Sequence, residues 1–269
     1  MILAANILLA VGIADLLRTH VRRSVQPIAF GVAAVVLLLL GAASESALPA
    51  LAGIVVAVGW VFAMPLRRRP RLGLWPAGIL AAIAIAAVVW SPRSPALGVI
   101  GDSWVLIAPT GPVPFGLALL AAGIAVVLLE TGNVIVRAAL ASENAQLPAE
   151  LSSTEPSTVQ TSSEDAMTGD TAPGSPVPVP TAPASGFRGG RLIGPLERIL
   201  VLTLTLVAAY PLLAAMLAAK GIVRFPEISR DRKSGAGAEY FLVGSLVSWV
   251  TALGGAFLLW WAASTGMLR

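Results

Sequence analysis

Ionisable side chains break into apolar runs at three places: Glu130-Thr-Gly-Asn133-Val-Ile-Val-Arg137, Arg191-Leu-Ile-Gly194-Pro-Leu-Glu197-Arg198, and Lys220-Gly-Ile-Val-Arg224-Phe-Pro-Glu227. A fourth acid, Glu239, opens the last apolar run. Charge at membrane depth is costly, so such groups mark ion paths, proton relays or binding sites by default. Near a helix end they instead reach the headgroup layer on their own stems. The first two clusters have complementary charges, and pairing predicts that Glu130 faces Arg198 and Glu197 faces Arg137. Gathered at one interface, the same four side chains could also serve a membrane enzyme that acts on lipid.

Other chemistry is thin. The chain has no cysteine, which excludes disulfides, thiolate metal sites and thiol catalysis, and its one histidine, His20, lacks a neighbouring carboxylate in sequence for a metal site. No G-x-x-x-x-G-K-[ST] phosphate loop occurs. Asp15 and Asp102 suggest a two-aspartate intramembrane protease only until the residues around Asp102 are read, because Val99-Ile100-Gly101-Asp102 lacks the first glycine of G-x-G-D. No catalytic residue, cofactor or metal is therefore expected.

The elements that must position these groups are membrane helices. Of 269 residues, 57% are apolar and 12% charged, about half the charge of a soluble protein. About 20 apolar residues span the hydrocarbon core. Segments near 1–17, 27–43, 48–66, 72–90, 113–130, 195–219 and 240–263 approach or exceed that length. The expected fold is all-α, a polytopic membrane helical bundle of about seven transmembrane helices. The first segment is short and ends in Asp15, so an interfacial helix is its alternative. Residues 1–17 lack a basic start and run into Arg18, Arg22 and Arg23, which reads as a retained helix, not a cleaved leader. Trp60, Trp75, Trp90, Trp249, Trp260 and Trp261 fall near segment ends, as interfacial rings do. Pro211 lies inside the sixth segment and predicts a kink after Tyr210.

Between Pro148 and Ser185 the composition turns to Ser, Thr, Pro, Ala and acid, too poor in apolar area to order itself. Three regions follow: an N-terminal membrane part of about five helices at 1–142, a disordered linker at 143–188, and a two-helix C-terminal membrane part at 189–269. Orientation resists this count. Seven spans with Arg18–Arg23 and Arg67–Arg71 inside put the linker inside and the basic 220–238 loop outside, against the positive-inside rule. An eighth span drawn at 95–110 reverses everything after it. Both arrangements divide the basic side chains two to one between the sides, and the prolines at 109, 112 and 114 favour seven, with Ala96–Thr110 a surface or partly inserted loop. The basic balance, +4 with a pI near 10.3, thus reflects topology anchors and not a nucleic-acid surface.

On the last helix Gly244, Ser248, Ala252 and Ala256 recur every four residues, a smooth stripe of the kind by which helices approach closely in lipid. Three stretches, Gly189-Gly-Arg-Leu-Ile-Gly-Pro-Leu-Glu-Arg198, Ala218-Ala-Lys-Gly-Ile-Val-Arg-Phe-Pro-Glu-Ile228 and Ala238-Glu-Tyr-Phe-Leu-Val-Gly-Ser-Leu-Val-Ser248, resemble the C-terminal region of a group of uncharacterised bacterial multi-pass membrane proteins. The likeness covers about 60 residues, with Tyr210-Pro211 where that group commonly has a small polar residue, and it implies no activity. A bacterial cell membrane is the expected location, with the lipid bilayer and other membrane proteins as partners and no nucleic acid. The leading expectation is a non-enzymatic accessory or assembly component. The alternatives are the lipid enzyme above and a small-solute transporter or channel, for which only Thr203, Thr205, Ser248 and Thr251 offer polar groups at mid-depth.

Overall fold

The structure is a computed structural model that describes residues 1–64, 73–90, 99–108, 111–151, 190–230 and 236–267. It is all-α apart from one minimal ribbon. The helices are α1 (Ile2–His20), α2 (Gln26–Ala43), α3 (Ala47–Ala63), α4 (Trp75–Trp90), α5 (Val99–Ser103), α6 (Phe115–Val126), α7 (Gly132–Leu151), α8 (Gly190–Leu206), α9 (Tyr210–Arg230) and α10 (Ala236–Met267). Strands β1 (Ile107–Ala108) and β2 (Gly111–Pro112) pair antiparallel, and a π turn at Val127–Thr131 joins α6 to α7 without ending the helix. Among the described residues, four stretches are long and apolar enough to cross a membrane, Ile2–His20, Gln26–Ala43, Phe115–Ser142 and Phe241–Thr265, beside the shorter apolar helices Ala47–Ala63, Trp75–Trp90 and Tyr210–Val223.

The first segment is long and apolar enough to cross a membrane. α1 is the most enclosed helix, with Ala4, Ala5, Val11 and even Asp15 buried, and α3 and α6 pack along it. Lipid is as apolar as leucine, so burial alone does not draw helices together there, and close backbone approach does. Glycine supplies it: a Cβ added to Gly53 on α3 would stand 2.7 Å from the Asn6 carbonyl oxygen, and one on Gly12 would stand 3.0 Å from the Val127 nitrogen. These contacts, with Gly123 against Ala5 and Arg18 against Val61, set α1, α3 and the α6–α7 helix parallel. Gly255 beside Ile124 and Gly244 beside Val136 and Leu140 set α10 antiparallel to that helix.

The sixth expected segment is two helices. α8 ends at Leu206 and the chain reverses through Val207–Ala209, so that α9 runs back along α8 and returns Lys220 to Glu197. Pro211 therefore does not kink a continuous span; it occupies the first turn of α9, where a missing N–H costs little. The turn is closed by Ala209 N–H to Leu204 O (2.9 Å) and Ala208 N–H to Thr205 O (3.1 Å), a Schellman pair. Ala208 takes the left-handed conformation at φ 55°, which strains any residue with a Cβ. Ala208→Gly is expected to stabilise the protein by about 1 kcal/mol, read as a higher melting midpoint in detergent.

α7 stays helical to Leu151, beyond the expected start of the linker at 143. The rest of that linker, including the 152–185 part of the stretch expected to be disordered, lies outside the described residues. The Ala96–Thr110 loop is in its described part α5 and β1, lying at the end of the molecule where α6 begins, since Trp104 stacks on Phe115.

Candidate functional site

Every buried ionic group described lies toward the other end, where α1, α3, α7 and α9 finish and α2, α8 and α10 start. Three constellations form there, each built around a carboxylate.

The first is local in origin. Asp15 and Arg18 sit three residues apart on one face of α1, and their side chains pair. Arg18 Nη1 goes on to donate to the carbonyls of Val61 (3.2 Å) and Met64 (2.9 Å), the orphan acceptors at the end of α3. The other oxygen of Asp15, on a residue with 0% exposure, accepts the indole N–H of Trp60 at 2.9 Å. Trp60 is thus a buried donor and not an interfacial ring.

The second constellation rests on the π turn. A π turn breaks the regular i→i+4 ladder and leaves a carbonyl open to another donor. Here Leu128 O accepts Arg198 Nε of α8 at 2.8 Å. The rest of the guanidinium, on a residue 2% exposed, reaches Asn133 Oδ1 at 2.6 Å and Ser248 Oγ of α10 at 3.4 Å. Gly132 makes room: a Cβ there would stand 2.7 Å from Arg198 Nε. Asn133 relays the bond, its Nδ2 donating to Glu130 Oε2 at 3.5 Å, while Glu130 Oε1 lies 3.6 Å from His20 Nε2. Glu130 and Arg198 are therefore brought into one cluster, with an amide between them.

The third corrects the expected partner of Glu197. Both its oxygens accept from Lys220 Nζ at 2.6 Å, and Oε1 also accepts from Trp249 Nε1 at 2.7 Å. Lys220 Nζ lies 5.4 Å from the centre of the Trp249 ring and 5.8 Å from that of Phe241, within cation–π range. Arg137 points elsewhere: it is exposed, and its Nε donates to the Asn133 carbonyl at 3.2 Å. The reversal at Val207–Ala209 is the reason, since it returns a lysine to the depth of Glu197. The expected cycle moves accordingly. Glu197→Gln and Lys220→Gln should each lower the melting midpoint and share about 1–2 kcal/mol of coupling, whereas Glu197→Gln and Arg137→Gln should be additive.

The three stretches singled out in sequence converge here, contributing Glu197 and Arg198, Lys220, and Phe241 and Ser248. Along α10, Ser248, Ala252 and Ala256 are buried and Gly244 is half-buried beside Val136 and Leu140. Glu239 is exposed on the first turn of α10. The side chains of Asp102, Arg191, Arg224 and Glu227 lie outside the described residues. Sequence reading missed the two carboxylate–cation–indole sets; the one available signal was the spacing of Asp15 and Arg18. Among the described residues no three His, Asp or Glu side chains come together as a metal site.

Chemically, each carboxylate is bonded by a cation or an amide from another turn or helix, so the constellations act as joints. Fold and site together define an all-α protein with helices suited by length and composition to crossing a membrane. No protein-family model, curated protein or solved structure matches the chain.

Proposed function

We propose that the chain is an eight-span integral membrane protein, basic end in the cytoplasm, that works as a non-enzymatic accessory or assembly component. The observation that carries this reading is that Asp15, Glu197 and Arg198, the groups best able to do chemistry, are committed to bonds that join helices. What such a protein offers other molecules is the outer surface of its helices. A solute path would need polar lining. A groove of about 540 Å³ between α4 and α10 has Thr251 as the one polar side chain in its described lining, and that hydroxyl donates to Val247 O. The likeness of the three C-terminal stretches to uncharacterised bacterial membrane proteins is compatible with this role and with a bacterial membrane.

The reversal between α8 and α9 supports the orientation. Read as two spans where 195–219 looked like one, the pair returns the 220–238 loop to the side of the linker. Counted by the helix ends they leave, all Lys and Arg except Arg93 and Arg269 then fall on one side, as the positive-inside rule requires. In intact cells an impermeant maleimide should label a cysteine at Glu45 and spare cysteines at Arg22 and Arg230; labelling at 230 from outside would remove the eighth span. The functional reading is tested by purification from native membranes in mild detergent, where a stoichiometric membrane-protein partner is expected. Protein that purifies alone and carries solute across liposomes would overturn it.

A further inference from the structure

At the end opposite the joints, a charge-free stretch runs from Ser103 to Leu129. Its first residues leave α5 and enter the β1–β2 ribbon. Their exposure alternates with the period of a strand: Trp104 36%, Val105 81%, Leu106 45% and Ile107 76%. Trp104 turns inward, its ring 5.2 Å from that of Phe115 in an edge-on stack and its Nε1 donating to Val113 O at 2.9 Å. Val105 and Ile107 share the outward face. Val113 N–H closes the ribbon on Leu106 O at 2.9 Å.

A two-stranded ribbon with an apolar outer face is marginal in water, and consecutive exposed apolar residues mark a contact surface. The position of this ribbon says what the contact is. Phe115 begins α6 beside Gly116, which faces Ile2 at the start of α1. At that same end Trp90 stands 88% and Trp260 58% exposed, as rings do in the headgroup layer. The exposed apolar helix faces that lipid must cover reach that end at Val89 and Phe257.

We propose that the ribbon carried by residues 103–108 and 111–113 is an interfacial anchor that lies on the outer leaflet with Val105 and Ile107 immersed at the boundary of headgroups and acyl chains. Its partner is the lipid surface itself. Trp104 and the ribbon hold the two side chains at a fixed height over α6, and the absence of charge lets them enter without dragging an ion into the boundary. This rests on the membrane reading above, and the test separates the two.

The chain has no native cysteine, so a nitroxide can be placed on single-cysteine variants of the full protein in liposomes. Val105→Cys and Ile107→Cys are the test positions, Val55→Cys on the exposed face of mid-α3 the lipid control, and Arg22→Cys the water control. Molecular oxygen should relax the label more than a water-soluble nickel chelate at 105 and 107, as at 55 but at a shallower depth, with the order reversed at 22. Chelate dominating at 105 and 107 while oxygen dominates at 55 would overturn the anchor alone. Chelate dominating at 55 as well would overturn the membrane reading. A label at 105 and 107 that neither reagent reaches would also overturn the anchor, because another protein surface would then cover the face.

Discussion

Replacing Arg198 by methionine is expected to destabilise the protein by about 3–5 kcal/mol, the usual cost of removing one member of a buried charged set. Methionine keeps much of the volume but donates nothing. Leu128 O, freed by the π turn, would be left without its donor, and Asn133 Oδ1 and Ser248 Oγ would lose theirs. Arg198→Lys should recover little of this, because a single ammonium cannot bridge three acceptors that the planar guanidinium reaches from one position. Gly132→Ala should cost a substantial part of the same amount by displacing Arg198 from its place over the π turn. The measurement is thermal melting in detergent, with accumulation in membranes as a second readout. Wild-type stability in Arg198→Met would mean that the joint does not hold α8 and α10 to the π turn.

Asp15→Ala should be comparably severe, again about 3–5 kcal/mol. The carboxylate is fully enclosed, and its loss leaves Arg18 buried with only carbonyls to face and leaves the Trp60 indole N–H without an acceptor. Trp60→Phe removes one charge-assisted bond and should cost about 1.5–3 kcal/mol. Asp15→Asn, which keeps an acceptor oxygen, should fall below Asp15→Ala. An order in which Trp60→Phe exceeds Asp15→Ala would show that packing of the indole, and not the carboxylate, holds α3 to α1.

Much of the bundle was legible because length and hydropathy are nearly sufficient for membrane helices: α1 to α4 and α10 each follow an apolar run of about the expected extent, while the α6–α7 helix starts as expected and runs well past 130. The α8–α9 turn was not, and the reason is a single backbone choice. Schellman turns are usually announced by glycine or asparagine, whereas Val207-Ala208-Ala209 has neither, and Ala208 takes the left-handed conformation with its Cβ in place. Missing that turn also displaced the partner of Glu197, since a single helix carries Lys220 far from it. The tryptophans misled differently. Position near a segment end does not distinguish an exposed ring, such as Trp75, from an indole turned inward to a carboxylate, such as Trp60 and Trp249. Periodicity marked small residues at 248, 252 and 256 that are buried, though it did not reveal the bond that Ser248 accepts from Arg198. It said nothing of the π turn, which one extra residue in a helical turn creates without any composition of its own.

The tip of the α8–α9 hairpin has a consequence for biogenesis. Val207, Ala208 and Ala209 carry no polar side chain, and α8 starts and α9 ends at the basic end. Under the proposed orientation, insertion of the pair as one unit moves across the bilayer only three peptide groups of connecting chain, with the N–H groups of Ala208 and Ala209 already bonded in the Schellman turn. In the proposed orientation the acidic residues 143–170 that precede it stay out of the translocation path. The membrane potential then does no work on them, and the left-handed backbone at Ala208 is one cost of a reversal that spares a charged loop its passage.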